Sequence, residues 1–469
     1  MLKPGAHIHV LGICGTAMAA VAKLAKDMGW RVTGADSGVY PPMSDFLKAE
    51  GITALDGFDA EHLDPAPDMV IIGNAMSRGN VEVEAVLDRG LPYMSGPAFV
   101  GRYVLADKHA VVVAGTHGKT STASLIAHVL ESAGLNPGFL IGGIPEGFGS
   151  GARLGEGEYF VLEGDEYDTA FFDKRSKFIH YRTRTLILNN LEYDHADIFP
   201  DLEAIKTQFH HLVRTLPSQG RIVVNTDDPN LADVLDRGCW TPLVSFGEKG
   251  KSEAHDGWQW EALSDDGSAF RLHQEGRQAM EVRWSMIGVH NIANACAVAA
   301  AATELGVSGE VLKRAFESFR GIRRRMTLVG EARGIRVFDD FAHHPTAIAG
   351  MVSAAKASMR GEGRLWVVLE PRSNTMRTKI HQSRLPRCFD GADFVIFVPP
   401  AARGMKQDEL LDVRAVCRSI GEHAQVLPDV AAIVDFVSVH AKSGDHVLIL
   451  SNGGFEGIHQ RLIASLGKQ

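Results

Sequence analysis

Along the whole 469-residue chain, short apolar runs break into glycine- or acid-rich turns and are followed by stretches of helical periodicity. Alternation of this kind reads as βαβ units building parallel sheets. Three blocks stand out. The first opens with an apolar strand over 7–11, a glycine turn at Gly12 and Gly15, and a helix from Thr16 to about Met28. A second strand over 30–36 ends on Asp36, so the segment resembles a Rossmann half, in which an acid at the next strand end holds a ribose. Its glycine fingerprint is incomplete, with G-x-x-G-T in place of G-x-G-x-x-G. A strand over 70–72 then runs into a polar loop containing Asn74, Ser77 and Arg78, which suits a second anion.

The second block, 108–325, carries apolar strands over 110–114, 160–162 and 185–188. A polar, alternating stretch from Asp256 to Trp284 predicts antiparallel strands, and an alanine-rich helix begins near Gly288. The third block, 326–469, predicts strands over 335–338, 365–369, 394–397 and 446–450, each ending in a polar or glycine-rich loop. The expected fold is therefore α/β with three domains: Rossmann-like over 1–107, a central P-loop ATPase-type domain with a mostly parallel sheet over 108–325, and a Rossmann-like C-terminal domain over 326–469.

The central strand over 110–114 runs directly into Gly115, Thr116, His117, Gly118, Lys119, Thr120 and Ser121. Glycines at 115 and 118 let the backbone turn tightly and aim N–H groups at an anion. The helix expected next adds the partial positive charge of its N-terminus. Lys119 then reaches terminal phosphates, and the Thr120 hydroxyl lies where Mg²⁺ binds. In the strict spacing the first glycine would fall at position 113, which is valine here. The pattern marks a nucleotide-phosphate site.

Composition narrows the partners. A net charge of −9, from 48 basic and 57 acidic residues, argues against a general nucleic-acid or anionic-membrane binder. No apolar run approaches the ~18 residues of a membrane span. The start of the chain shows no secretory signal, and five cysteines without C-x-x-C spacing indicate neither disulfides nor zinc. A reducing cytoplasm is the expected location, and no obligatory protein partner is expected.

Several polar clusters follow strands. Glu163, Asp165, Glu166 and Asp168 come after one; Asp194, His195 and Asp197 come after the next. A hard cation beside a phosphate loop takes oxygen ligands with at most an imidazole added, which suits Glu163 and His195. A solvated acidic rim explains the other acids equally well. Asn291 and Asn294, three apart at a helix start, suit either an adenine edge or a helix cap. Arg323, Arg324 and Arg325 form either a solvated charge run or a nucleotide contact at a block boundary. Asp339, Asp340, His343 and His344 follow a further strand, where acids bind ribose and imidazoles bind phosphate or peptide, or simply lie on the surface.

Taken in order, these motifs resemble the Mur ligase family, ATP-dependent amide-forming enzymes of peptidoglycan synthesis with three domains. The residues that carry the resemblance are Gly115–Thr120, Glu163, Asp194–His195, Asn225–Asp228, His290, Asn291, Asn294, Arg324, Arg325 and Asp339–Pro345, and it covers essentially the whole chain. The Gly12–Thr16 turn and His343–Thr346 are similar to the branch acting on UDP-N-acetylmuramate. Three stretches, 163–177, 369–376 and 451–457, favour the member that adds the murein tripeptide L-Ala-γ-D-Glu-meso-diaminopimelate over the one that adds L-alanine.

The resemblance implies ATP and UDP-N-acetylmuramate as substrates, Mg²⁺ as cofactor, and an acyl-phosphate intermediate. It implies catalytic roles for Lys119, Glu163 and His195, with Thr120, Glu163 and His195 as metal ligands. ATP would meet Gly115–Ser121, Asn291, Asn294, Arg324 or Arg325, and Asp340. The UDP-sugar would meet Gly12, Gly15, Thr16, Asp36, Asn74, Ser77 and Arg78, so nicotinamide is not expected. Peptide would meet His343, Arg372, Ser373 and Asn374, since a guanidinium fork suits a carboxylate. Several relatives carry a carbamylated lysine past the metal histidine; here the next lysine is Lys206, and no carbamate is expected. An alanine-adding ligase is the alternative within the family, and a non-catalytic ATP-binding module is the alternative outside it.

Overall fold

The computed structural model describes residues 2–40, 43–251, 257–276, 278–402 and 404–467. Asp256, where the alternating stretch was expected to begin, lies outside them, as do Met1 and the last two residues of the third block. The chain separates into two compact units, one made of Met1–Glu192, Glu203–Trp258 and Ala297–Ala315, the other of Tyr193–Leu202, Gln259–Cys296 and Phe316–Gln469.

In the first unit, β1 (His7–Leu11), β2 (Arg31–Asp36), β3 (Thr53–Asp56), β4 (Met69–Ile72) and β5 (Tyr93–Ser95) form a parallel sheet in the order β3-β2-β1-β4-β5. The central strands β1 and β4 are buried throughout, as a sheet covered on both faces requires. Edge strand β3 has no such run, and the hydropathy pattern did not reveal it.

A chain of polar side chains crosses this otherwise apolar interior. Thr33 Oγ1 lies 2.8 Å from both His7 Nε2 and His9 Nδ1; Glu82 lies 3.1 Å from His9 Nε2 and 2.6 Å from His62 Nδ1. Burial alone would raise the Glu82 carboxyl, but hydrogen bonds from His9, the Asp59 N–H and His62 outweigh it and hold Glu82 ionised. An ionised carboxylate only accepts, so His9 donates to Glu82 from Nε2, and the Thr33 hydroxyl links the His7 and His9 imidazoles. His7 is pushed down to about 4, first by burial, then by Arg31 and His9, against Asp68. The unfolded chain thus binds the His7 proton near pH 6.5 while the folded chain refuses it until about pH 4. Stability from this group is complete above pH 6.5 and declines as pH falls toward 4. Denaturant midpoints measured across that window should drop in the natural protein, and His7→Gln should flatten the slope.

The remainder of the first unit is built on β6 (His109–Ala114), β7 (Gly138–Leu140), β8 (Ala152–Arg153), β9 (Tyr159–Gly164), β12 (Thr185–Leu188), β13 (Arg221–Asn225) and β14 (Leu243–Glu248). They lie in the order β14-β13-β12-β6-β9-β7-β8, parallel except for β8. A small hairpin, β10 (Asp168–Ala170) with β11 (Asp173–Ser176), follows β9. Phe171 at its turn packs against the Leu11, Val70 and Ile72 cluster of the first sheet.

In the second unit the alternating stretch forms strands as expected: β15 (Trp258–Ala262), then β16 (Ala269–Gln274) antiparallel to β17 (Met280–Arg283). A six-stranded sheet follows, of β18 (Thr327–Ala332), β19 (Ile335–Asp340), β20 (Leu365–Leu369), β21 (Phe394–Phe397), β22 (Ala424–Val426) and β23 (His446–Leu450). Its order is β18-β19-β23-β20-β21-β22, parallel except at β18. Along β20 the two-residue period divides the side chains. Leu365, Val367 and Leu369 join one core cluster, and Trp366 and Val368 join the other, so the run is apolar without a break. The sheets are mixed α/β, as expected. Among the described residues, no helix is long and apolar enough to cross a membrane.

Candidate active site

Strand β6 ends at Ala114, and the chain turns through Gly115 (φ +152°) and Gly118 (φ +78°) into the helix Lys119–Ser132. Gly118 occupies the left-handed region at the helix N-cap, where a side chain would be strained. At Gly115 a Cβ would come within 3.1 Å of the Asn190 carbonyl oxygen. The loop is clamped from the next strand end: the Thr116 N–H donates to the Asn190 carbonyl at 3.1 Å, and the His117 N–H donates to Asn190 Oδ1 at 2.8 Å. Glu192 N–H donates to Thr116 Oγ1 at 2.8 Å. Asn190 was legible only as part of a polar strand end, and nothing in its spacing announced this role.

Lys119 lies inside the loop. Its ammonium donates to the Gly115 carbonyl at 2.7 Å and to Glu166 Oε2 at 3.1 Å. Burial alone would lower its pKa, but the carboxylates of Glu166, Asp165 and Glu163 outweigh that and keep it charged. Glu166 is buried, so the reading of a solvated rim fails there. For Asp165 burial is likewise outweighed, by Lys177 at 2.6 Å and then by Lys119, and the acid is held low. Asp168 fits the rim reading better: it takes Lys174 at 2.6 Å and the Asn74 amide at 3.2 Å on an exposed face.

Glu163, at the end of β9, accepts the Thr120 hydroxyl at 3.0 Å and the Gly142 N–H at 2.6 Å. A carboxylate and a hydroxyl side by side, at the end of the glycine turn, form an all-oxygen donor set that fits a hard divalent cation. Ser121 follows in the same helix and is half-buried. Lys206, the lysine considered for carbamylation, is paired with Asp233 at 2.6 Å and Glu203 at 3.1 Å. The Asp233 hydrogen bond and the Glu203 charge raise its pKa and favour the ammonium.

The residues expected to hold the UDP-sugar gather at one end of the first sheet. Asp36 Oδ2 accepts the Cys14 N–H at 2.9 Å, bracing the turn between Gly12 and Gly15, and Thr16 opens the helix after it. The loop with Asn74, Ser77 and Arg78 follows β4, and Met76 lies close enough to touch a Cβ placed on Gly12. Arg78 is held by a bidentate pair with Glu84 at 3.0 and 2.9 Å.

The other expected residues belong to the second unit. His195 takes a left-handed backbone (φ +54°) beside buried Asp194, whose Oδ1 accepts the His195 N–H at 2.7 Å. Asn291 and Asn294 are buried at the start of the helix Val289–Glu304. The Asn291 amide donates back to the Ile287 carbonyl at 2.8 Å, and Asn294 donates to Asn291 Oδ1 at 3.3 Å, an interlocked pair rather than a cap. Arg324 is tied to Asp339 at 3.0 Å and to the carbonyls of Ser451 and Gly453. Arg325 lies over the Phe341 ring, and among the described residues its guanidinium makes no hydrogen bond or ion pair, which leaves it the better placed of the two for a phosphate.

Asp340 accepts the Met326 and Ala342 N–H groups at 2.7 and 2.8 Å, and burial pushes its carboxyl up. His343 lies by the Phe341 carbonyl, while buried His344 caps the helix Pro345–Ser358. Arg372 pairs loosely with Glu370 at 3.6 Å, beside a cavity of about 150 Å³ also lined by Arg377 and Glu456. Ser373 accepts the Met376 N–H, and both ends of the Asn374 amide are engaged.

Three family models match successive segments: Mur ligase family, catalytic domain, over 7–108; Mur ligase middle domain over 113–302; and Mur ligase, glutamate ligase domain, over 324–453. The chain belongs to the Mur ligase family. It is 48% identical over 463 residues, 99% of both chains, to the UDP-N-acetylmuramate–L-alanyl-γ-D-glutamyl-meso-2,6-diaminoheptandioate ligase of Escherichia coli K12. A murein peptide ligase structure from Psychrobacter arcticus 273-4 superposes with a TM-score of 0.75 at 45% identity, covering 99% of each chain. The UDP-N-acetylmuramate–L-alanine ligase of Acetivibrio thermocellus is 32% identical over 453 residues, 95% of this chain and 93% of that one.

Proposed function

We propose that this protein is an ATP-dependent ligase that joins UDP-N-acetylmuramate to L-Ala-γ-D-Glu-meso-diaminopimelate in peptidoglycan recycling. The observation that carries the choice of amine is the full-length 48% identity to a ligase named for that tripeptide, against 32% to an alanine ligase. The charged, half-buried Lys119 inside a glycine loop supports turnover over a non-catalytic nucleotide module.

A carboxylate does not acylate an amine at neutral pH, because oxide is too poor a leaving group. In the proposed reaction a lactyl carboxylate oxygen of the sugar attacks the ATP γ-phosphorus and ADP departs. The tripeptide's neutral α-amine then attacks the acyl carbon; the C–O bond breaks, phosphate leaves and the amine loses a proton. The work of the chain is positioning and charge neutralisation. Lys119 and the N–H groups of the 115–121 loop would take the β- and γ-phosphates. Asn291, Asn294, Asp340 and Arg325 would take the rest of ATP. Thr120, Glu163 and His195 are the proposed ligands for Mg²⁺, which when bound offsets phosphate charge as a Lewis acid. Gly12, Gly15, Thr16, Asp36, Asn74, Ser77 and Arg78 would hold the UDP-sugar, and His343, Arg372 and Ser373 the peptide. The division at 107/108 and 325/326 would give the UDP-sugar to the first domain, most of ATP to the second, and the peptide with part of ATP to the third, and use of ATP with a UDP-sugar suits the cytoplasm.

The route is tested by labelling the lactyl carboxylate with ¹⁸O. Released phosphate should carry one labelled oxygen per turnover; phosphate without label would contradict the acyl-phosphate route.

A further inference from the structure

Within the second unit, the loop that bears His195 is strapped to the loop that bears Arg372. The Ala196 N–H donates to Thr375 Oγ1 at 3.2 Å, and Asn374 Nδ2 donates to Asp197 Oδ2 at 2.8 Å. A third tie, His344 Nε2 to the Tyr193 carbonyl at 3.3 Å, comes from the N-cap of the helix Pro345–Ser358. Behind Asn374 stands buried Arg377, which donates to Asn374 Oδ1 at 2.8 Å and whose carbonyl accepts the Leu411 N–H at 2.7 Å. The strap therefore runs from Asp197 through one amide to a guanidinium anchored in the fold.

Its position on the His195 side is informative. A non-glycine residue at φ +54° costs of order 1 kcal/mol and persists only where its surroundings over-determine it. Local bonds supply part of that: the His195 carbonyl accepts the Ile198 and Phe199 N–H groups at 3.0 Å, and the Tyr193 hydroxyl donates to the Phe199 carbonyl at 2.9 Å. The bonds at Ala196 and Asp197 fix the two residues immediately after the strained one. On the other side, Asn374 has spent its carbonyl on Arg377 and one N–H on Asp197, so it suits a strut better than a reader of peptide.

We propose that Asn374, Thr375 and Asp197 are positioning residues that lock the metal-ligand loop to the amine-substrate loop, so that seating the peptide at Arg372 also sets His195. The proposal rests on the reading of His195 as a metal ligand and of the 372–374 loop as peptide-facing. Partners one step behind a metal ligand typically matter 10- to 100-fold in metal affinity or activity.

The test is a swap. Asn374→Asp places two carboxylates face to face and breaks the strap; combined with Asp197→Asn it rebuilds an amide–carboxylate pair with the polarity reversed. For Asn374→Asp we expect kcat to fall roughly tenfold and the Mg²⁺ concentration for half-activation to rise by a similar factor. The KM for tripeptide should move less than about twofold. The double variant should recover both losses. Three outcomes overturn the proposal: a raised tripeptide KM with unchanged Mg²⁺ dependence, as a direct peptide contact would give; a lowered thermal midpoint with unchanged Mg²⁺ dependence, as a purely structural bond would give; or no recovery in the double variant. Absence of tripeptide turnover in the natural protein would instead remove the proposed function, so the two failures are distinguishable.

Discussion

Lys119→Met should reduce ATP-dependent ligation by about 10²–10³-fold, the usual effect of removing one preorganised donor from a developing anionic charge. The ammonium is held by the Gly115 carbonyl and Glu166 inside the loop, with no other lysine in the 115–121 segment to replace it. The same substitution takes the Lys119 counter-charge from Glu166, which is 2% exposed, and breaking a buried ion pair by removing one member costs about 3–5 kcal/mol. Lost activity in the single variant therefore mixes chemistry with folding. Lys119→Met with Glu166→Gln separates them, because a neutral amide has no buried charge left to solvate. The double variant should regain most of the thermal midpoint and none of the activity. Turnover within tenfold of the natural enzyme in either variant would remove Lys119 from the mechanism.

The second large effect is expected at Glu163. Its two oxygens accept the Thr120 hydroxyl and the Gly142 N–H, and a glutamine can reproduce both bonds. The amide oxygen takes the Gly142 N–H, and the amide nitrogen donates to a Thr120 hydroxyl turned the other way. Glu163→Gln thus keeps these two bonds and deletes the negative charge. Since a bound divalent ion supplies several kcal/mol of charge stabilisation, kcat should fall at least ~10²-fold, with a larger Mg²⁺ requirement and a nearly unchanged thermal midpoint. An unchanged Mg²⁺ requirement would show that Glu163 is no ligand.

Much of this was legible in the sequence, for physical reasons that differ between elements. Strands β4, β20 and β21 are apolar throughout and β6 and β23 are apolar after an opening histidine, so periodicity finds them, whereas β1 is just as buried but interleaves His7 and His9 with its apolar residues. Edge strands β3, β5 and β18 carry mixed residues and were missed. The glycine turn before the helix was readable because a left-handed N-cap and a close carbonyl approach leave few residues but glycine at 115 and 118. The partner of Lys119 was not, because Glu166 stands among Asp165 and Asp168 and spacing cannot tell a buried carboxylate from half-buried ones. Asn190, through His117, and Arg377, through the Ala401 carbonyl and the Leu411 N–H, act by hydrogen bonds between segments far apart in sequence, where no local pattern forms. For Asn291 and Asn294 the sequence posed the choice between capping and recognition. The geometry excludes the cap and leaves a buried amide pair whose ligand is assigned by family resemblance.

The most direct test of the central claim supplies the enzyme with ATP, Mg²⁺ and UDP-N-acetylmuramate and follows phosphate release with either L-Ala-γ-D-Glu-meso-diaminopimelate or L-alanine as the amine. Release that depends on the tripeptide, with a UDP-N-acetylmuramyl tripeptide as product and little turnover of L-alanine, is the predicted result. Turnover of L-alanine alone would contradict the assignment of the amine while leaving the phosphate loop and its chemistry in place.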